Sequence, residues 1–131
     1  MNQYLHLRCG SVEFLLDIDC VEEVALADDR HDSNGLRLWR QQQVRVSNMN
    51  AYFNQAGDCP HQVVVRHADS FLILDVAAII GLISAAAPQF RPFSAITEQA
   101  RRCFDQALPQ ADGTCLLRLR RPLDWLPTAS L

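Results

Sequence analysis

Lysine is missing from the 131-residue sequence, and all 12 basic side chains are arginine. Arginine offers bidentate, stackable contacts that a compact ammonium does not, although genome composition is an equally simple source of the bias. An excess of basic charge is missing too. With 21% charged residues and a net charge of -3, neither half of the chain is marked as a polyanion-binding surface, so nucleic acid is not an expected partner. The cysteines, Cys9, Cys20, Cys59, Cys103 and Cys115, are odd in number and form no C-x-x-C pair, which argues against a disulfide framework or a structural zinc site. Most read as small buried hydrophobes. The amino terminus, MNQYLHLRCGS, has no basic stretch followed by a continuous apolar run, so no secretory signal is expected. The longest apolar run, around Val76 to Ile83, is far too short for a membrane span. The expectation is a soluble, cytoplasmic chain with no membrane insertion.

Motifs that carry chemistry are equally scarce. No Gly-rich phosphate loop occurs, and no nucleophile motif surrounds Ser11, Ser70 or the four histidines. Cys59, His61, His67 and Asp69 match no common zinc spacing and fit a solvated turn better than a metal site. Neighbouring strand residues point to opposite faces, so Glu22 and Glu23 are expected not to share an acid-base site. Asp17 and Asp75 read as strand-end residues rather than a catalytic pair. The chain is therefore expected to be no enzyme and to need no metal or cofactor.

What is present is core-forming material: 49% of residues are hydrophobic, ample for one compact unit spanning residues 1–131. Val12 to Val24 (VEFLLDIDCVEEV) and Ser70 to Ile80 (SFLILDVAAII) echo each other, each an apolar run reaching one Asp with further apolar residues beyond. Tyr4 to Cys9 alternates, with Leu5, Leu7 and Cys9 on one face, and ends at Gly10-Ser11. Further strands are predicted at Val12 to Asp17, Val21 to Leu26, Leu36 to Trp39, Gln43 to Val46, Gln62 to Arg66 and Phe71 to Asp75. Polar loops are predicted at Ala27 to Gly35 and Asn54 to Pro60. Ala77 to Ile83 reads as strand, with helix left open by its alanines. QFRPFSA from Gln89 to Ala95 reads as an extended connector, Cys103 to Leu108 and Thr114 to Leu119 as a closing hairpin, and Pro122 as the start of a short terminal helix. The result is mainly β, about ten short strands with little helix, which favours small barrels over a layered α/β fold.

At this level of detail the chain resembles the CheW-like family of chemotaxis coupling domains. The run GLRLWRQQQVRVSNM, Gly35 to Met49, aligns without a gap to the family's G-V-x-N-L-R-G-x-x-x-P-x-x-D-L segment, with Gly35 and Arg40 matching outright. LILD (Leu72 to Asp75), FRP (Phe90 to Pro92) and CLLRL (Cys115 to Leu119) resemble later family segments. The chain departs from the pattern at Gln41 for Gly, Arg45 for Pro and Asn48 for Asp, carries a bulky Phe71, and has a short loop before Gly35. Loss of the glycine removes backbone freedom beside Arg40.

The resemblance implies two SH3-like five-stranded β-barrel lobes, intertwined on a shared core, with a short C-terminal helix. It also implies a non-enzymatic adaptor coupling a chemoreceptor cytoplasmic tip to the regulatory domain of a CheA-type histidine kinase. By motif position, partner binding falls to Val21, Glu23 and Arg40; otherwise Val21 faces the core and the two charges are ordinary solvated side chains. Trp39 and Trp125 are core or interface anchors, with core preferred. Two other functions stay open: a CheW-like interaction domain retuned to another signalling partner, and a small-ligand-binding or enzymatic β-barrel.

Overall fold

A computed structural model describes residues 1–27, 32–93 and 97–126. In chain order its elements are β1 (Asn2–Cys9), β2 (Val12–Asp17), β3 (Val21–Leu26), β4 (Asp32–Ser33), β5 (Leu36–Trp39), β6 (Gln42–Asn48), α1 (Met49–Tyr52), β7 (His61–His67), β8 (Ser70–Val76), β9 (Ala78–Ala85), β10 (Arg91–Pro92), α2 (Glu98–Cys103), β11 (Phe104–Pro109) and β12 (Cys115–Leu119). They form two six-stranded sheets, in the orders β10-β11-β12-β2-β1-β9 and β3-β7-β8-β6-β5-β4. Each sheet is thus five longer strands plus a two-residue strand at one edge.

The two sheets share one plan. Read from β9, the first runs β9-β1-β2-β12-β11-β10, and each position has a counterpart in the second. Both contain one parallel pair, β2 with β12 and β8 with β6. The echoing segments are therefore equivalent strands, β2 and β8. After each of them the chain leaves its own sheet and supplies the far edge of the other: β3 follows β2 into the second sheet, and β9 follows β8 back into the first. The lobes exchange edge strands, which is how they are intertwined.

This arrangement explains the continuous apolar runs. A strand buried on both faces loses the polar-apolar alternation of a half-buried one. Phe14, Leu15 and Leu16 are all fully buried, but they alternate between two destinations. Phe14 and Leu16 enter a core shared by both sheets, alongside Leu5, Leu7, Val63, Val65, Leu72 and Leu74. Leu15 points the other way, into a cluster of the first lobe with Tyr4, Phe90, Leu108 and Leu116. Val64 and Ile73 do the same in the second lobe, packing with Trp39 and Val44. Phe71 fills the end of that cluster, its ring 4.8 Å from Trp39.

Polar side chains also cross the second lobe. Arg37, in β5, is 5% exposed. It grips Asp75 of β8 with two hydrogen bonds of 2.9 and 2.7 Å, Asp32 of β4 with two of 2.7 and 3.0 Å, and donates to Gln62 of β7 at 2.8 Å. Burial alone would ease the proton off this guanidinium, but its bonds to Asp75 and Asp32 outweigh that and hold its pKa above the ordinary arginine value.

Turn chemistry follows the residues. Gly10 takes the left-handed conformation at φ 61° between β1 and β2, where a Cβ would collide with the Gln55 side chain. Asn34-Gly35, with φ 56° and 74°, makes a two-residue turn with the handedness that hairpins favour. Thus a hairpin stands inside the predicted loop Ala27 to Gly35, whose residues 28–31 lie outside the described ones.

The strand reading of Ala77 to Ile83 holds, now over Ala78–Ala85, since the segment pairs along β1 and tertiary pairing overrides the alanine helix propensity. Other expectations shift. Two short helices were not anticipated. Asn48 caps α1 by accepting from the Ala51 N–H at 3.0 Å, and Thr97 caps α2 by accepting from Ala100 at 3.2 Å. Cys103 therefore ends a helix rather than opening the closing hairpin. The connector at Gln89 to Ala95 contains the end of a 3-10 turn and β10, while its residues 94–95 lie outside the described ones. The terminal helix is a single 3-10 turn, Leu123–Trp125, with Pro122 just before it and Leu123 and Leu126 buried in the shared core.

Removing one partner of a buried ion pair leaves a desolvated charge. Asp75→Ala is expected to lower unfolding free energy by about 3–5 kcal/mol in urea titrations. The isosteric double change Arg37→Met with Asp75→Leu should cost far less; equal losses would show that the charges themselves carry little.

Candidate functional site

β3 and β5 stand near opposite edges of the second sheet, yet side chains join them. The Trp39 indole Nε1 of β5 donates to Glu23 Oε2 of β3 at 2.9 Å. The sheet is therefore curled until its margins meet, and the seam is stitched by side chains rather than by a backbone ladder.

Arg40 sits on this seam. With Gln41 it forms the two-residue turn between β5 and β6, and both residues take positive φ, 47° and 64°. The backbone thus adopts the left-handed conformation the family's glycine would supply, carrying a Cβ strain of about 1–2 kcal/mol per residue. The turn aims the Arg40 guanidinium back over the Trp39 ring, 4.3 Å from its centroid. There it lies 3.7 Å from a carboxylate oxygen of Glu22 and 3.7 Å from one of Glu23. Arg66 of β7 closes the group, donating to Glu22 at 2.9 Å and to the Asp19 carbonyl.

Glu22 and Glu23 were expected on opposite faces, and here the structure corrects the expectation. The ladder between β3 and β7 shifts register between Val21 and Glu23. An irregularity of this kind breaks strict alternation, and both carboxylates reach Arg40.

Of the three residues picked from the sequence, Glu23 and Arg40 are brought together and Val21 is not. Val21 is half-buried against the shared core. Glu22, Trp39 and Arg66 join the group without having been singled out as functional. Trp39 is legible in hindsight as the residue before the motif arginine, but Arg66 comes from a different strand with no sequence signal. The arrangement is a mixed-charge platform on an indole, with Arg40 half-exposed, suited to pairing with a partner's carboxylate or stacking on its apolar surface.

A second feature lies where the lobes meet. A cleft of about 220 Å³ is lined by Val12, Phe53, Ala100, Cys103, Phe104 and Leu117, with Gln99 also on its wall. Its walls come from β2, α2, β11 and β12 and from the residue following α1, so both halves of the chain contribute.

Burial pushes the thiols of Cys9, Cys20 and Cys103 up to about 11, which keeps them protonated and poorly nucleophilic at neutral pH. Among the described residues, no three His, Cys, Asp or Glu side chains gather as metal ligands. Nor, among them, is any helix long and apolar enough to cross a membrane.

Two sheets of one plan, exchanging edge strands over a common core, define the CheW-like fold. The comparison with solved structures bears this out: the chain matches the scaffolding protein TtCheW of Thermoanaerobacter tengcongensis with a TM-score of 0.78, over 91% of this chain and 88% of that one, at 15% sequence identity. No protein-family model and no curated protein matches the sequence. The resemblance carried by Gly35 to Met49 is thus matched by the three-dimensional fold.

Restoring the glycine tests the strain at the turn. Gln41→Gly is expected to stabilise the protein by about 1 kcal/mol, seen as a higher urea midpoint at unchanged slope. A lower midpoint would mean that the Gln41 side chain makes contacts worth more than the strain.

Proposed function

We propose that this chain is a non-enzymatic cytoplasmic adaptor that couples a chemoreceptor cytoplasmic tip to the regulatory domain of a CheA-type histidine kinase. The observation that carries the proposal is the fold likeness to a scaffolding protein, combined with the place of Arg40 in that fold. The motif arginine stands half-exposed on the seam of the second lobe, held over Trp39 and beside Glu23. A preorganised arginine on an aromatic base is a common interface anchor, because little side-chain entropy remains to be lost on binding. Glu23 and Arg40 are assigned to the partner-facing surface, and Val21 seats the strand that bears Glu23. The apolar cleft between the lobes offers a second surface, as an adaptor that holds two partners requires.

Both lobes are filled by large side chains, Tyr4 and Phe90 in one and Trp39 with the Arg37 network in the other, which disfavours a small-ligand or enzymatic barrel. One observation favours a CheW-like module retuned to another signalling partner. Arg40 already faces two carboxylates of its own chain, and a partner must compete for it or bind the whole cluster.

The test is capture of a CheA-type regulatory domain and of a receptor tip from the same genome by the purified chain, with Arg40→Glu alongside. Wild type should retain both. Arg40→Glu, which sets a third carboxylate beside Glu22 and Glu23, should weaken retention of at least one by about tenfold, or about 1.4 kcal/mol. If wild type retains neither, the coupling role is lost; equal retention by the mutant removes Arg40 as an anchor.

A further inference from the structure

The equivalence of the two sheets extends to an irregularity in each. Leu5 of β1 faces Leu82 of β9 in its ladder as Val63 of β7 faces Val24 of β3, and Leu7 faces Ile79 as Val65 faces Val21. Between these matched pairs both ladders slip, leaving one unpaired residue on the exchanged strand: Ile80 in the first sheet and Glu22 in the second. A bulge repeated at the same place in two like sheets belongs to the plan of the fold, and bulges commonly serve to re-aim a side chain. The chemistry at the two bulges differs. None of the 8 residues of β9 is charged, and Ile80 and Leu82 are exposed. β3 instead carries Glu22 at its bulge and Glu23 beside it. Each of the residues that stitch the seam has an exposed apolar neighbour in its own strand, Val24 after Glu23 and Leu38 before Trp39.

Within the seam cluster Glu22 is the bridge. One of its carboxylate oxygens lies 2.9 Å from Arg66 Nη1 and the other 3.7 Å from Arg40 Nη1, so among the described residues it joins the two guanidiniums. Glu23 closes the far side of Arg40 at 3.7 Å. The charges run Arg66, Glu22, Arg40, Glu23, equal in number of each sign, and none of the four side chains is buried. Such a cluster has little attraction for a surface of one sign. A carboxylate reaching Arg40 meets Glu22 and Glu23, a cation reaching those carboxylates meets Arg40 and Arg66, and like charges brought together oppose docking. A partner presenting an acid and a base together gives each guanidinium a further carboxylate and each carboxylate a further cation.

We propose that Glu22, bulged out of the β3 ladder, is the specificity-determining residue of this surface, and that it selects a protein segment carrying an acidic and a basic side chain on either side of an apolar one. The proposal rests on the reading of the Arg40 seam as partner-facing and names the chemistry of the partner there. The segment's apolar side chain packs on the exposed surface of Val24 or Leu38, its carboxylate pairs with Arg40 or Arg66, and its cation pairs with Glu22 or Glu23. The equivalent bulge of the first sheet, with Ile80 where the second has Glu22, lacks this filter. One backbone device thus serves two edges that accept different partners.

The full chain is titrated at low salt with three short soluble peptides that share a central leucine, flanked by glutamates only, by lysines only, or by one of each. Binding is followed by NMR through the side-chain Nε–H signals of Arg40 and Arg66. The mixed peptide should bind the wild-type chain about three- to fivefold more tightly than either single-sign peptide, the range that exposed ion pairs support. Glu22→Gln keeps the shape but leaves one excess positive charge, and should move the preference to the acidic peptide and steepen the loss of binding with salt. A single-sign peptide that binds wild type as well as the mixed one overturns the proposal. So does a Glu22→Gln chain that keeps the wild-type ranking, or the absence of any shift at Arg40 and Arg66. The wild-type ranking keeps the test standing if Glu22→Gln fails to fold. Because the peptides carry no receptor or kinase sequence, loss of the coupling role in the capture experiment leaves this ranking readable, and an overturned ranking leaves the capture result intact.

Discussion

The second lobe is organised around one buried guanidinium. Arg37 reaches from β5 to β7 and β8, strands that are not its neighbours in the sheet, and binds Asp75 and Gln62 there while holding Asp32 of β4. A charge taken out of water demands this many partners, and meeting that demand sets how far the sheet must curl. The consequence reaches the surface. Trp39 and Arg40 follow on the same strand and turn, so the anchoring of Arg37 also fixes where the indole and the half-exposed guanidinium stand against β3.

The strand exchange has the same logic on a larger scale. Each sheet is completed at one edge, by β9 in the first and β3 in the second, with a strand that the chain delivers directly after a strand of the other sheet. The core between the sheets is built from both, so neither lobe closes without its partner's contribution. The cleft at the junction and the seam at Trp39 are then borne by two interlocked sheets over one core.

The departures from the family pattern become intelligible at this level. Asn48 in place of Asp keeps a side-chain oxygen to cap α1. Arg45 in place of Pro supplies an N–H to a strand that has neighbours on both sides. Phe71 fills the space against Trp39. Only Gln41 runs against local preference, since it holds a left-handed backbone that glycine adopts more easily. That exception falls next to Arg40, the residue proposed as the partner anchor.

Most strands were legible because side-chain alternation, apolar runs and turn residues are local properties. The run FLL before Asp17, the run LIL before Asp75 and the turn at Gly10 announce themselves in the sequence, and together they determined that the chain is mainly β with two like units. The caps at Asn48 and Thr97 were equally local, but the helices they open are short and carry little apolar periodicity. What only the tertiary structure decided is which distant residues meet. The parallel pairings of β6 with β8 and β12 with β2, the burial of Arg37 beside Asp75, and the gathering of Glu22, Glu23 and Arg66 around Arg40 all span many residues of chain. A strand's sequence states which way its side chains point relative to its own backbone, whereas these contacts depend on how each sheet curls and which lobe receives the next strand.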